Sequence, residues 1–472
     1  MNARFSRRGF LGVGAATGFT ALLAACSQSP AAAPTSAPAS SSAPKPTSAP
    51  ASTSAPAAAA TTAPTGTNTT LNVLTWAPAN DVGRNADQKF LASYIAANHL
   101  NVTVKSQDVP FGTYMQKLQT MFAGNVAPDV LWMSIWRTGP FIEANKLIAL
   151  DDFIKTEKAM PKYRPTAFND GKFGGKQYGL PTAASTWVLY FNATLFQQAG
   201  LKTPLELEAA NNWNWDQAVS AAEKITKSSG GRTSQFGWMT DTQFYTWATF
   251  AYANGGEILS QDHTKFLVSS KETTDALQWL GDMIVSRKVS PSISDQQQEG
   301  YVPRFASGKL GMMTDWAGDG INIHNAMQGK FDWDIVAAPW TAKESGYWHP
   351  NLIEINAATK AKDNAWVICA QLASTEIEKN RLQAGIPNTP VIDDEGLISL
   401  YTKTMPMKNS KVIIDLLDKA IPLPYNDNWE EQRFKVIEPF MQEVFNGQVK
   451  AADKIGEIQT KLESMLPKNN YL

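Results

Sequence analysis

The sequence predicts an α/β protein whose folded body is large enough for two lobes, and three observations carry that prediction. Strand-like and helix-like stretches alternate along the first part of the body, the pattern of a largely parallel sheet covered by helices on both faces. Residues 174–201, GGKQYGLPTAASTWVLYFNATLFQQAGL, read as an extended segment crossing directly into a helix that stops at Gly200. The chain has 472 residues, and those from about Thr69 onward are enough to bury two substantial cores.

The elements follow in order. Residues 71–78, LNVLTWAP, alternate as a first strand ending at Trp76; a polar loop with Asp81 and Gly83 leads into a helix over 85–97. A second strand covers 102–104 and a helix 114–123; then Pro128, Asp129 and Val130 open a third strand, VLWMSIW, with KLIALDDFI further on. Past residue 201, helices are expected over 215–224, 244–253 and 273–284, with NGGEIL following at 254–259. GKLGMMTD at 308–315 reads as a strand turning through WAGDGINIHNAM into a helix, and 334–339 as a further strand. YWHPNLIEINAAT occupies 347–359, a helix is expected over 362–382, and helices close the chain from about Trp429 to Leu466.

The wording GKQYGLP followed by LYFNATLFQQAGL resembles the crossing segment of the extracellular solute-binding proteins of ABC importers, in the oligosaccharide-carrying group. APDV with its following turn, helix and KLIALDDFI is similar to the same family, and the resemblance extends over nearly the whole folded chain. It implies a two-lobe periplasmic-binding-protein fold (type II), each lobe a mostly parallel sheet flanked by helices, joined by hinge crossings, with the ligand held between the lobes. The first crossing is the segment around 181–191, the second 347–359 and the third 386–393. Lobe 1 is then 70–180 and 346–390, and lobe 2 is 181–345 and 391–472. The implied partners are a small solute, a saccharide above all, and the transmembrane subunits of an ABC permease; a monomer without cofactor or metal is expected.

The start of the chain suits an exported protein. Ser6, Arg7, Arg8, Gly9, Phe10 and Leu11 match the twin-arginine export pattern, and the uncharged stretch behind them is short and glycine-containing, a poor permanent membrane span. It ends in Leu23, Ala24, Ala25, Cys26, which resembles the lipobox of bacterial lipoproteins. Residues 1–25 thus read as a signal peptide, with Cys26 as the lipid-bearing residue that holds the protein at the outer face of the cell membrane. From 26 to about 69 the sequence is almost entirely Ala, Pro, Ser and Thr, a composition that cannot bury enough apolar surface to order itself. Some forty such residues reach about 120 Å when extended, so the expected tether lets the body stand clear of a membrane.

Composition narrows the function. Lys and Arg number 42 against 43 Asp and Glu, a net charge of −1, which gives no electrostatic case for nucleic acid. With Cys26 lipidated, Cys369 stands alone in the helical AWVICAQLA and is expected in the core. The four histidines show no paired metal-ligand spacing, and no zinc-protease, Walker A or nucleophile-elbow motif occurs. GVGAATG lies inside the export signal rather than after a strand. Asp315 and Asp319 are the one pair that a surface glycoside hydrolase would use; the competing reading is that Asp315 caps the helix after its strand, with Asp319 in the first turn.

Fifteen tryptophans are the strongest compositional feature. Most belong in the core, the default for large aromatics. Trp76, Trp136, Trp187, Trp316 and Trp348, however, sit just past strand ends or in loops, where open α/β sheets bind ligands. An aromatic face suits the apolar patch of a pyranose, while sugar hydroxyls need polar partners. Asp81, Asp129, Asp241, Asn254, Asp315 and Glu354 are candidates for that role. Relatives in the resembled family commonly carry a stacking tryptophan after a GKxAM-type strand, which matches Trp316; here Asp315 directly precedes it, where the family has a small residue or two. Arg137 and Arg304 leave room for a phosphorylated ligand such as a glycerol phosphate.

Overall fold

A computed structural model describes residues 68–76, 82–260, 264–386, 388–422, 426 and 428–467. The export signal, Cys26, the tether and Asp81 lie outside the described residues. The strands are β1 (Thr69–Trp76), β2 (Val102–Val109), β3 (Val130–Ser134), β4 (Lys172–Phe173), β5 (Lys176–Gln177), β6 (Gly179–Asn192), β7 (Lys227–Ser229), β8 (Arg232–Gln235), β9 (Met312–Trp316), β10 (Trp333–Val336), β11 (Tyr347–Ile355) and β12 (Ile421–Pro422). β4 pairs with β5, and β7 with β8, as small hairpins.

The remaining eight form one sheet in the order β10-β6-β11-β3-β1-β2, with β12 added to β11 and β9 to β6. β1 runs parallel to β2 and β3, as the alternation of strands and helices predicts. β11, however, is antiparallel to both β3 and β6, and β9 and β10 are antiparallel to β6. The sheet is therefore mixed rather than mostly parallel. The reason is topological: a strand that leaves a sheet and one that returns to it are neighbours running in opposite directions.

β6 pairs with three of the other strands. Its 14 residues span roughly 46 Å at about 3.3 Å each. From Gly179 to Thr186 it pairs with β11; from Trp187 to Phe191 it pairs with β9, and from Leu189 to Asn192 with β10 on its other side. The change of partner falls between Thr186 and Trp187. Two prolines, Pro181 and Pro350, lie within this pairing, where a missing N–H is normally disfavoured. A register shift between Asn351 and Leu352 skips Thr182, so the ladder is already irregular there. Thr182 instead donates to Leu372 O at 2.6 Å and accepts from the buried Arg381 at 2.8 Å. Gly179 is required at the start, since a Cβ there would lie 2.8 Å from that of Leu352.

β6 stops where its sequence stops it. Asn192 accepts from Leu195 N at 3.0 Å and caps helix Ala193–Gln198. Gly200 then takes φ +67, the left-handed exit that glycine provides. Thr203 and Glu206 form a capping box on the next helix, with Pro204 in its first turn.

Alternation along β6 divides its side chains between two cores. Trp187, Leu189 and Phe191 join a core built on helix Phe244–Ala253, helix Lys271–Val285 and the C-terminal helices. Val188 and Tyr190 face a second core shared with β1, β3, β11 and helices Glu395–Thr404 and Lys411–Lys419. Cys369 is buried in that second core, its thiol 3.5 Å from Ile353 O. The helix expected over 362–382 is two, Lys362–Leu372 and Thr375–Gln383, because Ser374 caps the second by accepting from Ile377 N.

Candidate functional site

The site is built where the ends of β1, β3 and β9 approach the two crossing strands. On one side, Trp76 ends β1 and its ring meets Phe111, Tyr114 and Trp132 edge to face at 5.8, 5.3 and 5.9 Å. Tyr114 is held by donating to Trp132 O at 2.6 Å. Arg137 follows β3 in the turn Ile135–Arg137, its guanidinium 4.7 Å over the Phe111 ring. Trp136 shares that turn, and its side chain lies outside the described residues.

On the other side, Trp316 ends β9 half-buried, opposite Trp187 of β6. Its ring lies 4.5 Å from that of Trp187, 5.0 Å from His349, 5.1 Å from Tyr245 and 5.7 Å from Tyr347. Tyr347 and His349 come from β11, where alternate residues share a face. Trp348 between them therefore points the opposite way and is fully buried in the core, which removes it from the cleft face. Tyr347 OH and His349 Nδ1 are 2.8 Å apart. Burial pushes the His349 imidazole down to about 3, so it is neutral at physiological pH.

Carboxyls gather around Asp315. Asp241 accepts from Gln243 N and Nε2 at 3.2 and 3.0 Å, and burial raises its pKa to about 6. Asp315 accepts from Trp316 N at 2.8 Å; burial, and then the Asp319 carboxylate, push its pKa well above the usual range. Asp319 is raised as well, by burial, and accepts from Asn322 Nδ2 at 3.2 Å. Neither makes the helix-capping bond that local sequence suggests, because the chain after β9 enters a 3-10 turn, Ala317–Asp319, before helix Gly320–Met327.

Four candidates are placed elsewhere. Asp129 precedes β3 and so stands at the opposite end of the parallel strands, where Asn72 N and Thr359 Oγ1 donate to it at 2.8 and 2.7 Å. Asn254 ends helix Phe244–Ala253 and donates to Glu272 O at 2.8 Å. Arg304 donates to the carbonyls of Asp295 and Glu299 and packs over Phe236, well occupied by its own surroundings. Glu354 is fully buried on β11, accepting from Thr138 Oγ1 at 2.7 Å, and burial lifts it to about 8.

Tyr245, Tyr347, His349 and Arg433 are the residues that sequence reading passes over. Tyr245 lies on a helix buried at all ten positions, so no polar stripe marks a face. Arg433 begins the π-helical stretch Arg433–Ile437, a local departure that no residue pattern announces. It is ion-paired to Glu438 at 3.3 Å, hydrogen-bonded to Tyr245 OH, and lies 4.1 Å over Phe434. Among the described residues no group of three or more potential metal ligands converges.

Residues 85–378 match the family model described as bacterial extracellular solute-binding protein, well over half of the chain. The chain belongs to that family. A Brucella abortus protein named as a binding protein is 25% identical to this solute-binding protein over 380 residues, 79% of this chain and 88% of its own. Among solved structures, an ABC substrate-binding protein from Listeria monocytogenes in complex with cycloalternan superposes with a TM-score of 0.73 at 21% identity, covering 84% of this chain and 98% of that one. The GacH receptor of Streptomyces glaucescens, described with acarbose, gives 0.69 at 20% identity, covering 85% and 100%. The solute-binding protein therefore has the two-lobe, type II periplasmic-binding-protein fold.

Proposed function

We propose that this protein captures a saccharide between its lobes and delivers it to an ABC permease without altering it. The observation that carries the reading is the half-buried ring of Trp316 at a strand end, walled by Trp187, Tyr245, Tyr347 and His349, whose polar tips border it. An apolar face bordered by polar groups matches a pyranose. Trp76 completes the set on the other side of the cleft. The cycloalternan complex and the acarbose receptor among structural relatives favour the same ligand class.

The lobe division at 180/181, 345/346 and 390/391 is part of this reading. So is the twin-arginine signal, with lipidation of Cys26 holding a monomer at the outer face of the membrane through the 26–69 tether. Hydrolysis is disfavoured because the Asp315 and Asp319 carboxyls are within hydrogen-bonding reach of one another, whereas glycosidase carboxyls stand about 5 to 9.5 Å apart across the scissile bond.

A melting screen against neutral saccharides, polyols, glycerol phosphates and amino acids tests the ligand class. Binding at a hundredfold excess over Kd adds about 2.7 kcal/mol, a shift of roughly 3 to 5 °C for a body this large. A shift from an amino acid, with none from any saccharide, would leave a binding protein but end the saccharide assignment.

A further inference from the structure

Arg137 is built into the junction in a way that a neutral sugar does not explain. One face of its guanidinium is fixed on Phe111, itself 48% exposed. Its side chain is 11% exposed, yet among the described residues Nε and Nη1 have no hydrogen-bond partner. Among the described residues Nη2 makes its one polar contact at 3.4 Å to Glu430 Oε1, across to the helix Trp429–Gln432. That is longer than the 2.7–2.9 Å usual for a charge-assisted bond. The Glu430 side chain is also 40% exposed, so water screens it.

The other charged groups near the junction do not make up the deficit. Glu438 is committed to Arg433, a second cation, which lies over Phe434. Glu354 is fully buried and bonded to Thr138, and burial favours its neutral form. A guanidinium is always charged and presents its donors as a rigid fork that fits two oxygens of one anionic group. Buried and weakly countered, such a fork selects an oxyanion over a pair of hydroxyls.

We propose that Arg137 is a specificity-determining residue whose buried, unpaired Nε and Nη1 edge takes an oxyanion carried by the saccharide, either a uronate carboxylate or a phosphate ester. This rests on the saccharide reading above. The test is calorimetric titration of the full folded chain with galactobiose, digalacturonate and galactose 1-phosphate, on the wild type, Arg137→Lys and Arg137→Gln. The wild type should prefer one of the two oxyanion-bearing sugars over galactobiose by about tenfold or more, and which one identifies the source of the charge. That ratio should fall to about one in Arg137→Gln and to an intermediate value in Arg137→Lys, which keeps the charge and loses the fork. Galactobiose binding as tightly as both charged sugars, with the ratio unmoved by either substitution, overturns the proposal while the saccharide reading stands. Binding of none of the three overturns the proposal, and the neutral screen then decides the reading beneath it.

Discussion

Trp316 and Trp187 are cross-strand partners on β9 and β6, and their rings meet edge to face at 4.5 Å and 77°. The two have opposite circumstances. Trp187 is 1% exposed in the middle of the crossing strand, whereas Trp316 ends its strand half-buried. One ring is enclosed and the other keeps part of its surface uncovered.

Truncating the two should therefore separate stability from binding. Trp187→Ala removes a fully packed ring and should cost about 3 to 5 kcal/mol in denaturant unfolding, with or without ligand. Trp316→Ala should cost clearly less and chiefly shrink the melting shift produced by a bound saccharide. Equal losses of ligand-free stability in the two variants would make Trp316 a core residue.

Stability should fall as pH rises above neutrality. The folded Glu354 carboxyl, raised to about 8, holds its proton where the unfolded chain has released it, so the folded state binds more protons between about 4.5 and 8. Stability is then lost with rising pH up to about 8. His349 acts in the other direction, since its imidazole stays neutral in the fold down to about 3. That contribution is complete above about 6.5, the ordinary histidine value, which leaves the carboxyls alone on the alkaline side. Glu354→Gln should flatten the decline between about pH 6.5 and 8 by at most about 1.4 kcal/mol per pH unit; Glu378, also raised to about 8, accounts for part of what remains. Melting curves that stay parallel across that range would show that Glu354 does not titrate there.

Prolonged incubation of concentrated protein with an oligosaccharide it binds should release no reducing ends. Asp315→Asn and Asp319→Asn are expected to change affinity only. Steady hydrolysis abolished by either substitution would identify a glycoside hydrolase.

Membrane attachment should depend on Cys26 alone. Cys26→Ser is expected to move the protein from the membrane fraction to the soluble one with ligand affinity unaltered, because the tract from 26 to 69 stands between anchor and body. Retention of this variant in washed membranes would refute lipidation as the anchor.

The crossing strand, the exit at Gly200 and the return at Tyr347 were legible because each depends on neighbours in sequence. What was not legible depends on direction. YWH in β11 offers three rings, and nothing local tells which pair shares a face; Tyr347 and His349 turn toward the Trp316 ring and Trp348 to the opposite core. Asp129 reads as well placed beside a strand, yet it precedes β3, and only residues that follow parallel strands reach the crevice. Tyr245 and Arg433 meet through helices almost two hundred residues apart, a proximity that arises only once both pack on one core.

The change of partner within β6 also restricts how the gene can vary. Side chains alternate along it without interruption from Trp187 to Phe191, three toward one core and two toward the other. Inserting or deleting a single codon just before Trp187 would exchange those sets, turning Val188 and Tyr190 into the place of the tryptophan and its companions. The halves of this protein are thus indexed to each other like a key in its slot. Viable chimaeras between relatives should carry their junctions in loops and spare the interval from 179 to 192.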